Sequence, residues 1–426
     1  MHQGKAKKMT LHEDIVAIGQ RAQEAARELN LFNSRKKNVI LHAMADAIED
    51  SRGALAEANR QDLEAAQRDG LTDAMIDRLR LTDGRVQAMI KGFKEVADLP
   101  DPIGKRMSRW IRPNGLEIVK RRVPIGVVCV VYESRPNVTA DTASLCFKTS
   151  NAIILRGGKE AFHSNHAIAN AMIEGGRTKG LPEYAIQLIK TTDRNAVGEL
   201  VKLEGLVDVV IPRGGESLIR AVVDQAKVPV IKHYKGVCHV YVDSAASLEM
   251  ASEIAMNAKC QRPGVCNAME TLLVHADVAE TFLPEIAAQL SEAGVTLRGD
   301  ETSRRIVPTM DAASEDDWTE EYLELILSIK VVSSVQDAID HINQYGSRHS
   351  DAIVTESEPA QKKFMQEVDA ATVYVNASTR FTDGAEFGMG AEIGVSTDKL
   401  HARGPMALEE LTSYKYLIQG NGQIKQ

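Results

Sequence analysis

From Ile125 onward the chain alternates short apolar runs, at 126–131, 152–155, 185–189, 207–211 and 229–231, with helical stretches. Apolar runs of that length separated by helices predict parallel βαβ units in an open doubly wound sheet. Few architectures satisfy that pattern, because parallel strands need crossover helices and a sheet covered on both faces. In such sheets a ligand sits outside the carboxyl ends of the strands. Two of those ends read Leu155-Arg156-Gly157-Gly158-Lys159-Glu160 and Ile211-Pro212-Arg213-Gly214-Gly215-Glu216-Ser217. Each puts two glycines and a cation where a strand feeds a helix, which suits close backbone approach to a phosphate. Neither is a GxGxxG, and either alone also reads as a plain turn. Two in neighbouring units favour the nucleotide reading.

A second α/β region runs from about 242 to 372, with strands expected at 271–274, 295–297, 325–332 and 352–354. Its acidic, weakly patterned segment 311–324 is expected at the surface. The first hundred residues are helical. Ile15, Ile18, Ala22, Ala25 and Leu29 recur at helical spacing, and Ser34 is a candidate N-cap for an Ala-rich stretch reaching Asp69-Gly70, with a break at 51–53. This reads as a packing layer without chemistry. Residues 107–112 and 116–123 alternate apolar and polar across Pro113-Asn114-Gly115, a hairpin signal. Charges on both arms, among them Arg109, Arg112, Glu117 and Lys120, make that ribbon too polar for a core. The stretch 411–418 is its candidate partner strand, in the same subunit or another.

A length of 426 residues suggests two or three domains. A net charge of −8 argues against nucleic acid and anionic membranes as partners, and no apolar run approaches the roughly 18–20 residues needed to span a bilayer. Residues 1–9 are basic without an apolar core, so they read as an extension and not a secretory signal. Five cysteines without paired spacing point to a reducing, cytoplasmic setting. Cys260 and Cys266 lack the companion ligands of a zinc site, so no metal is expected.

Residues 257–275 read NAKCQRPGVCNAMETLLVH. Cys266 follows a Pro263-Gly264 bend and precedes Asn267-Ala268 and a strand-like run. A thiol at such a junction has an open approach and a backbone N–H beside it, and covalent acyl chemistry needs both. Lys259 and Arg262 would favour its thiolate if the loop folds them toward it. The competing reading is an ordinary core cysteine. In Tyr132-Glu133-Ser134-Arg135-Pro136-Asn137, Asn137 could donate its side-chain amide to a developing oxyanion, or simply cap a helix. The glycine-crowded stretch 382–392 is long for an idle loop and could close over a substrate.

Six stretches carry a resemblance over nearly the whole chain, from about 10 to 423: VYESRPNVTAD (131–141), AIILRGGKEA (152–161), VDVVIPRGGESLI (207–219), VIKHYKGVCHVYVD (230–243), the cysteine loop (257–275) and VYVNASTRFTDGAEFGMGAEIGVSTDKLHARGP (373–405). The sequence resembles the aldehyde dehydrogenase superfamily, and within it the family of gamma-glutamyl phosphate reductases. The resemblance implies an aldehyde dehydrogenase-like α/β fold in three parts. These are a Rossmann-type NADP-binding domain (1–106 and 125–241), an α/β catalytic domain (242–400) and a β-ribbon oligomerisation element (107–124 and 401–426). It implies NADPH-dependent reduction of L-glutamyl 5-phosphate to L-glutamate 5-semialdehyde, the second step from glutamate to proline, by a homo-oligomer that could receive substrate from a glutamate 5-kinase.

By the same resemblance, Cys266 is the nucleophile and Asn137 the oxyanion donor. Arg156, Gly157, Gly158 and Lys159 stand at the adenosine ribose, Arg213 and Gly214 at the pyrophosphate turn, and Glu321 near the nicotinamide ribose. Arg156 and Lys159 suit a 2′-phosphate, hence NADPH. Arg135, Lys259, Arg262 and Arg380 are candidate cations for the substrate's phosphate and α-carboxylate. Hydrolytic members of the superfamily carry a glutamate base in a Glu-Leu-Gly-Gly segment. The matching stretch here, Lys232-His233-Tyr234-Lys235-Gly236, has no carboxylate, as suits a reductase that must not activate water against its thioester. His233 is the one residue there that could substitute as a base. The alternatives are a hydrolytic NAD(P)-dependent aldehyde dehydrogenase, which the missing glutamate disfavours, a cysteine acyltransferase without nicotinamide, and a non-catalytic nucleotide-binding scaffold.

Overall fold

Thr10 starts the first helix with a reciprocal cap: its hydroxyl accepts the Glu13 N–H, and the Glu13 carboxylate accepts the Thr10 N–H at 2.7 Å. The computed structural model describes residues 10–425; the basic extension expected at 1–9 lies outside them. Helix α1 (Leu11–Leu29) buries Ile15, Ala22, Ala25 and Leu29. Helix α2 (Ser34–Asp50) is capped by Asn33, whose carboxamide accepts the Lys36 N–H at 2.9 Å. Ser34, expected as the cap, is the first helical residue, because the extended backbone that a cap requires lies at Asn33 (φ −82, ψ 166). The expected break falls at Ser51, before α3 (Arg52–Arg68). Helices α4 (Asp73–Leu79) and α5 (Asp83–Asp98) complete the helical layer.

The hairpin follows as β1 (Arg106–Ile111) and β2 (Glu117–Pro124). Then come β3 (Val127–Tyr132), α6 (Asn137–Lys148), β4 (Ala152–Gly157), α7 (Phe162–Arg177), β5 (Ile186–Leu188), α8 (Asn195–Leu200), β6 (Val209–Arg213) and α9 (Glu216–Gln225). The four strands form a parallel sheet in the order β5-β4-β3-β6. Every residue of β3 is buried, as a central parallel strand requires. The strand expected at 229–231 is reduced to a single bridge, Val210 to Val230; Pro229 has no N–H to extend a ladder.

The chain divides into two units. The first runs through Lys232 and takes back Gly388–Gly394 and the chain from Met406; the second holds His233–Phe387 and Val395–Pro405. The second contains β7 (Cys238–Val242), α10 (Leu248–Cys260), β8 (Met269–His275), α11 (Ala276–Glu292), β9 (Thr296–Gly299), α12 (Glu301–Ile306), β10 (Asp311–Ala312), β11 (Ile326–Val332), α13 (Val335–Tyr345), β12 (Ser350–Val354), α14 (Glu358–Glu367) and β13 (Thr372–Val375). These strands make a seven-stranded parallel sheet in the order β10-β9-β11-β8-β7-β12-β13. A short antiparallel pair, β14 (Val395–Ser396) and β15 (Gly404–Pro405), belongs to the same unit.

Strand β7 escaped the sequence pattern because His239 interrupts its apolar run. Its ring is wholly buried and its Nδ1 sits 2.9 Å from the Asp351 carboxylate, so the polar residue belongs to a core pair. The acidic segment 311–324 is not all surface. Asp317 and Trp318 are buried, Asp317 binding the Tyr322 hydroxyl at 2.7 Å and pairing with Arg298.

The hairpin finds its third strand in the same chain. Strand β16 (Thr412–Gln419) lies antiparallel to β2 from Thr412 opposite Pro124 to Gln419 opposite Glu117, giving the order β1-β2-β16. The ribbon leaves Trp110, Ile111, Tyr416 and Ile418 exposed. Among the described residues no helix is long and apolar enough to cross a membrane.

Candidate active site

In the first unit the strand order reverses between β3 and β6, where a doubly wound sheet opens a crevice for ligand. The two strands end side by side, Tyr132 opposite Arg213. Beyond β6, Gly214 and Gly215 lead into α9, and the Gly215 N–H, at the helix start, donates to the Glu133 carboxylate at 3.1 Å. A Cβ on Gly214 would collide with that carboxylate and lie 2.8 Å from Leu218. The turn carries no side chain, and its Gly215 N–H is taken by the Glu133 carboxylate.

Beyond β4 the two expected cations part company. Arg156 is buried, and its guanidinium donates to the carbonyls of Thr192 (3.2 Å), Asp193 (3.3 Å) and Gly157. It ties down the loop after β5, so a 2′-phosphate role does not fit its placement. Lys159 is exposed, and its side chain has no hydrogen-bond or ion-pair partner among the described residues. Glu160 accepts from the Ser134 N–H at 2.6 Å and hydroxyl at 2.9 Å, holding Ser134 at a left-handed φ of 43. Arg135 is exposed just ahead of α6.

Asn137 is the first residue of α6, and its Nδ2 donates to Asp141 Oδ2 at 2.8 Å, one helical turn on. Burial pushes the Asp141 carboxyl up to about 6, against the pull of the Asn137 hydrogen bond and the Arg213 charge. At neutral pH it is therefore mainly a carboxylate, an acceptor only.

In the second unit Cys266 stands ahead of the amino end of β8. The Ala268 N–H to Val265 carbonyl bond (3.1 Å) closes a turn around it. Two neighbours fix its backbone. Cys238 Sγ donates to the Cys266 carbonyl at 3.2 Å, and Gly236 lies so close that a Cβ there would be 2.5 Å from Cys266 Cα and closer still to its oxygen. Asn267 stitches the turn to residues 379–382. Its Nδ2 donates to the Thr382 carbonyl (3.0 Å), its carbonyl accepts from the Thr379 hydroxyl (2.8 Å), and its Oδ1 accepts from Arg380. Arg380 also donates to Gln261 at 3.0 Å. Burial and the nearby Arg262 charge both push the Arg380 guanidinium's pKa down. Two neighbouring cations beside the Cys266 turn suit an anionic ligand.

Lys259 does not join them. It is wholly buried at the end of α10, with Nζ 2.5 Å from the equally buried Glu270. Desolvation pushes the lysine down and pushes the Glu270 carboxyl up to about 7. An ammonium with no exposed surface, matched to its own carboxylate, is a poor candidate for substrate. Glu270 also accepts the Leu323 N–H at 3.3 Å, and Leu323 is left-handed (φ 56). The buried pair thus anchors the turn that carries the half-buried Glu321. His233 donates from Nδ1 to the Val395 carbonyl at 2.9 Å and stands edge-on to the buried His349, the centroids 5.7 Å apart.

Sequence reasoning passed over Asp141, Gly236 and Glu270. The first was within reach, since residues four apart share a helix face and Asn137 needed a partner. The other two depend on contacts between distant segments, for which the local sequence holds no signal.

The Aldehyde dehydrogenase family model matches residues 4–324 of the chain. The gamma-glutamyl phosphate reductase of Moorella thermoacetica is 55% identical over 418 residues, covering 98% of this chain and all of that protein. The crystal structure of gamma-glutamyl phosphate reductase from Thermotoga maritima superposes with a TM-score of 0.95 at 46% identity, covering 97% of this chain and 100% of that one. A more distant structure, the glyceraldehyde-3-phosphate dehydrogenase of Methanocaldococcus jannaschii complexed with NADP, shares the fold at a TM-score of 0.68 and 18% identity, over 98% of this chain and 96% of that one. The chain belongs to the aldehyde dehydrogenase family.

Proposed function

We propose that the chain reduces L-glutamyl 5-phosphate to L-glutamate 5-semialdehyde with NADPH, releasing phosphate, the second step from glutamate to proline. The observation that carries this reading is end-to-end identity above one half with a protein of that named activity, joined to a thiol in a tightly fixed turn. The first unit is assigned to nucleotide binding and the second to the thiol chemistry.

The residues at the switch point fit a dinucleotide. The Gly214-Gly215 turn at the start of α9 is assigned to the pyrophosphate beside Arg213, and Gly157 and Gly158, whose bare backbones pack against Asn165 and Glu160, are assigned to the ribose. Lys159 is the cation for a 2′-phosphate, and Glu321 is assigned to the nicotinamide ribose. NADPH, when bound, supplies the hydride.

The Cys266 thiolate attacks the acyl-phosphate carbonyl. Its own backbone N–H and the Asn137 amide hold the oxyanion, and inorganic phosphate leaves with the electron pair of the broken C–O bond. The hydride that bound NADPH would supply would reduce the Cys266 thioester to the thiohemiacetal level, from which loss of the Cys266 thiolate would release the aldehyde. Arg262, Arg380 and Arg135 are the cations proposed for the phosphate and the α-carboxylate. His233, bound to Val395, is given a structural role. The reading extends to a cytoplasmic homo-oligomer joined through the ribbon, whose exposed Trp110, Ile111, Tyr416 and Ile418 offer apolar contact, and to delivery of the labile acyl phosphate by a glutamate kinase.

The test is oxidation of NADPH on adding L-glutamyl 5-phosphate, followed by loss of its near-ultraviolet absorbance. Turnover with equimolar phosphate release supports the assignment. No oxidation with that substrate, and steady oxidation with a coenzyme A thioester instead, would overturn it.

A further inference from the structure

We propose that Asp141 is a positioning residue that fixes which way the Asn137 amide faces. The proposal rests on the reading of Asn137 as the oxyanion donor.

A carboxamide has two faces that differ in chemistry. An oxyanion hole works only if an N–H, not the carbonyl oxygen, points at the developing charge. An unpartnered asparagine on the first turn of a helix can rotate between the two. Here Nδ2 lies 2.8 Å from Asp141 Oδ2, and the two residues are four apart on α6, so they share one helix face. As a carboxylate Asp141 can only accept. Turning the amide over would set Oδ1 against Oδ2, two acceptors in contact, which the ionised pair resists. One hydrogen of Nδ2 is thereby fixed on Asp141, and the geometry leaves the second free for a ligand.

The Asn137 hydrogen bond and the Arg213 charge both oppose the burial that raises the Asp141 carboxyl. Because Arg213 ends β6 at the proposed pyrophosphate turn, the cluster joins the nucleotide crevice to the oxyanion donor through Asp141.

The test is a double-mutant cycle on the full chain, measuring kcat, KM and NADPH binding for Asp141→Ala, Asn137→Ala and the double variant, with Asp141→Asn as the conservative control. Removing an oxyanion donor costs on the order of 10²–10³ in kcat. Misorienting one should cost part of that, so Asp141→Ala is expected to lose about 10- to 100-fold in kcat, with KM and NADPH binding within about 3-fold. Asp141→Asn, whose amide can donate as well as accept and so no longer dictates the orientation, should fall between Asp141→Ala and the wild type in kcat. In the Asn137→Ala background the Asp141→Ala change should do nothing more.

Equal losses in both backgrounds would overturn the proposal and leave Asn137 as the donor. An Asp141→Ala enzyme with wild-type kcat would overturn it too. If Asn137→Ala itself leaves kcat unchanged, the oxyanion reading falls and this inference falls with it.

Discussion

Replacing Gly236 with alanine adds one methyl group where the structure has no room for it. The new Cβ would stand 2.5 Å from Cys266 Cα and from its carbonyl carbon, and nearer to the oxygen, while real Cβ contacts stay beyond 3.0 Å. The obstruction is backbone, so no side-chain rotation relieves it. Either the Cys266 turn or the segment before β7 must give way. The Cys266 turn has limited slack, with its carbonyl held by Cys238 and its neighbour Asn267 bound to residues 379–382. A shift of about 1 Å at a reacting atom costs on the order of 10²-fold in rate. Gly236→Ala should therefore lose about 100-fold in kcat, with little change in NADPH binding, most of whose contacts are assigned to the other unit. Alkylation of Cys266 by a small haloacetamide should continue, since the thiol is displaced and not removed. Gly53→Ala serves as the control. A Cβ there meets nothing within 4 Å, and the exchange inside α3 should stabilise the helix by roughly 0.5–1 kcal/mol. A Gly236→Ala enzyme within about 3-fold of wild-type kcat would refute the idea that this contact sets the thiol's position.

Cys266→Ala should abolish turnover and spare NADPH binding, whereas Cys260→Ala, at the half-buried end of α10, should stay active; the reverse pattern in steady-state assays would move the nucleophile. Lys159→Ala should weaken NADPH more than NADH by about 1–2 kcal/mol, the worth of one charge-assisted hydrogen bond, and equal losses in titrations of the two cofactors would remove Lys159 from the 2′-phosphate. Glu270→Ala strands a buried ammonium and should cost about 3–5 kcal/mol, which in a unit of this size lowers the melting temperature by roughly 6–20 °C. The apolar double change Lys259→Met with Glu270→Leu should recover most of that loss in a thermal scan, and a single variant melting like the wild type would show that the pair is not stabilising.

The sheets were legible because parallel strands buried on both faces leave continuous apolar runs, as at 126–131 and 271–274. β7 was not, because His239, paired with Asp351 on β12, interrupts its apolar run. The cap at Asn33 instead of Ser34 shows a similar limit, since two good capping residues stood side by side and only the backbone turn chose between them. At the candidate site, local features marked Cys266, Asn137 and the two glycine turns. What charge alone could not tell was which cations are free. Arg156 and Lys159 look alike in sequence, yet one closes three carbonyls and the other stands in solvent. Lys259 read as a substrate cation because its partner Glu270 is brought to it only when β8 packs against α10. Asp141 was visible in helical spacing once Asn137 had been given a task.

The thioester proposed on Cys266 is made from and returned to phosphate, never to water. Running the reaction backward tests this, with L-glutamate 5-semialdehyde and NADP⁺, with and without inorganic phosphate, measuring NADPH and glutamate together. With no carboxylate in Lys232-His233-Tyr234-Lys235-Gly236 to serve as a base, turnover should require phosphate, and phosphate-free buffer should yield almost no glutamate. Glutamate formed in phosphate-free buffer at a rate close to the phosphate-dependent rate would contradict the claim and make the protein a hydrolytic aldehyde dehydrogenase.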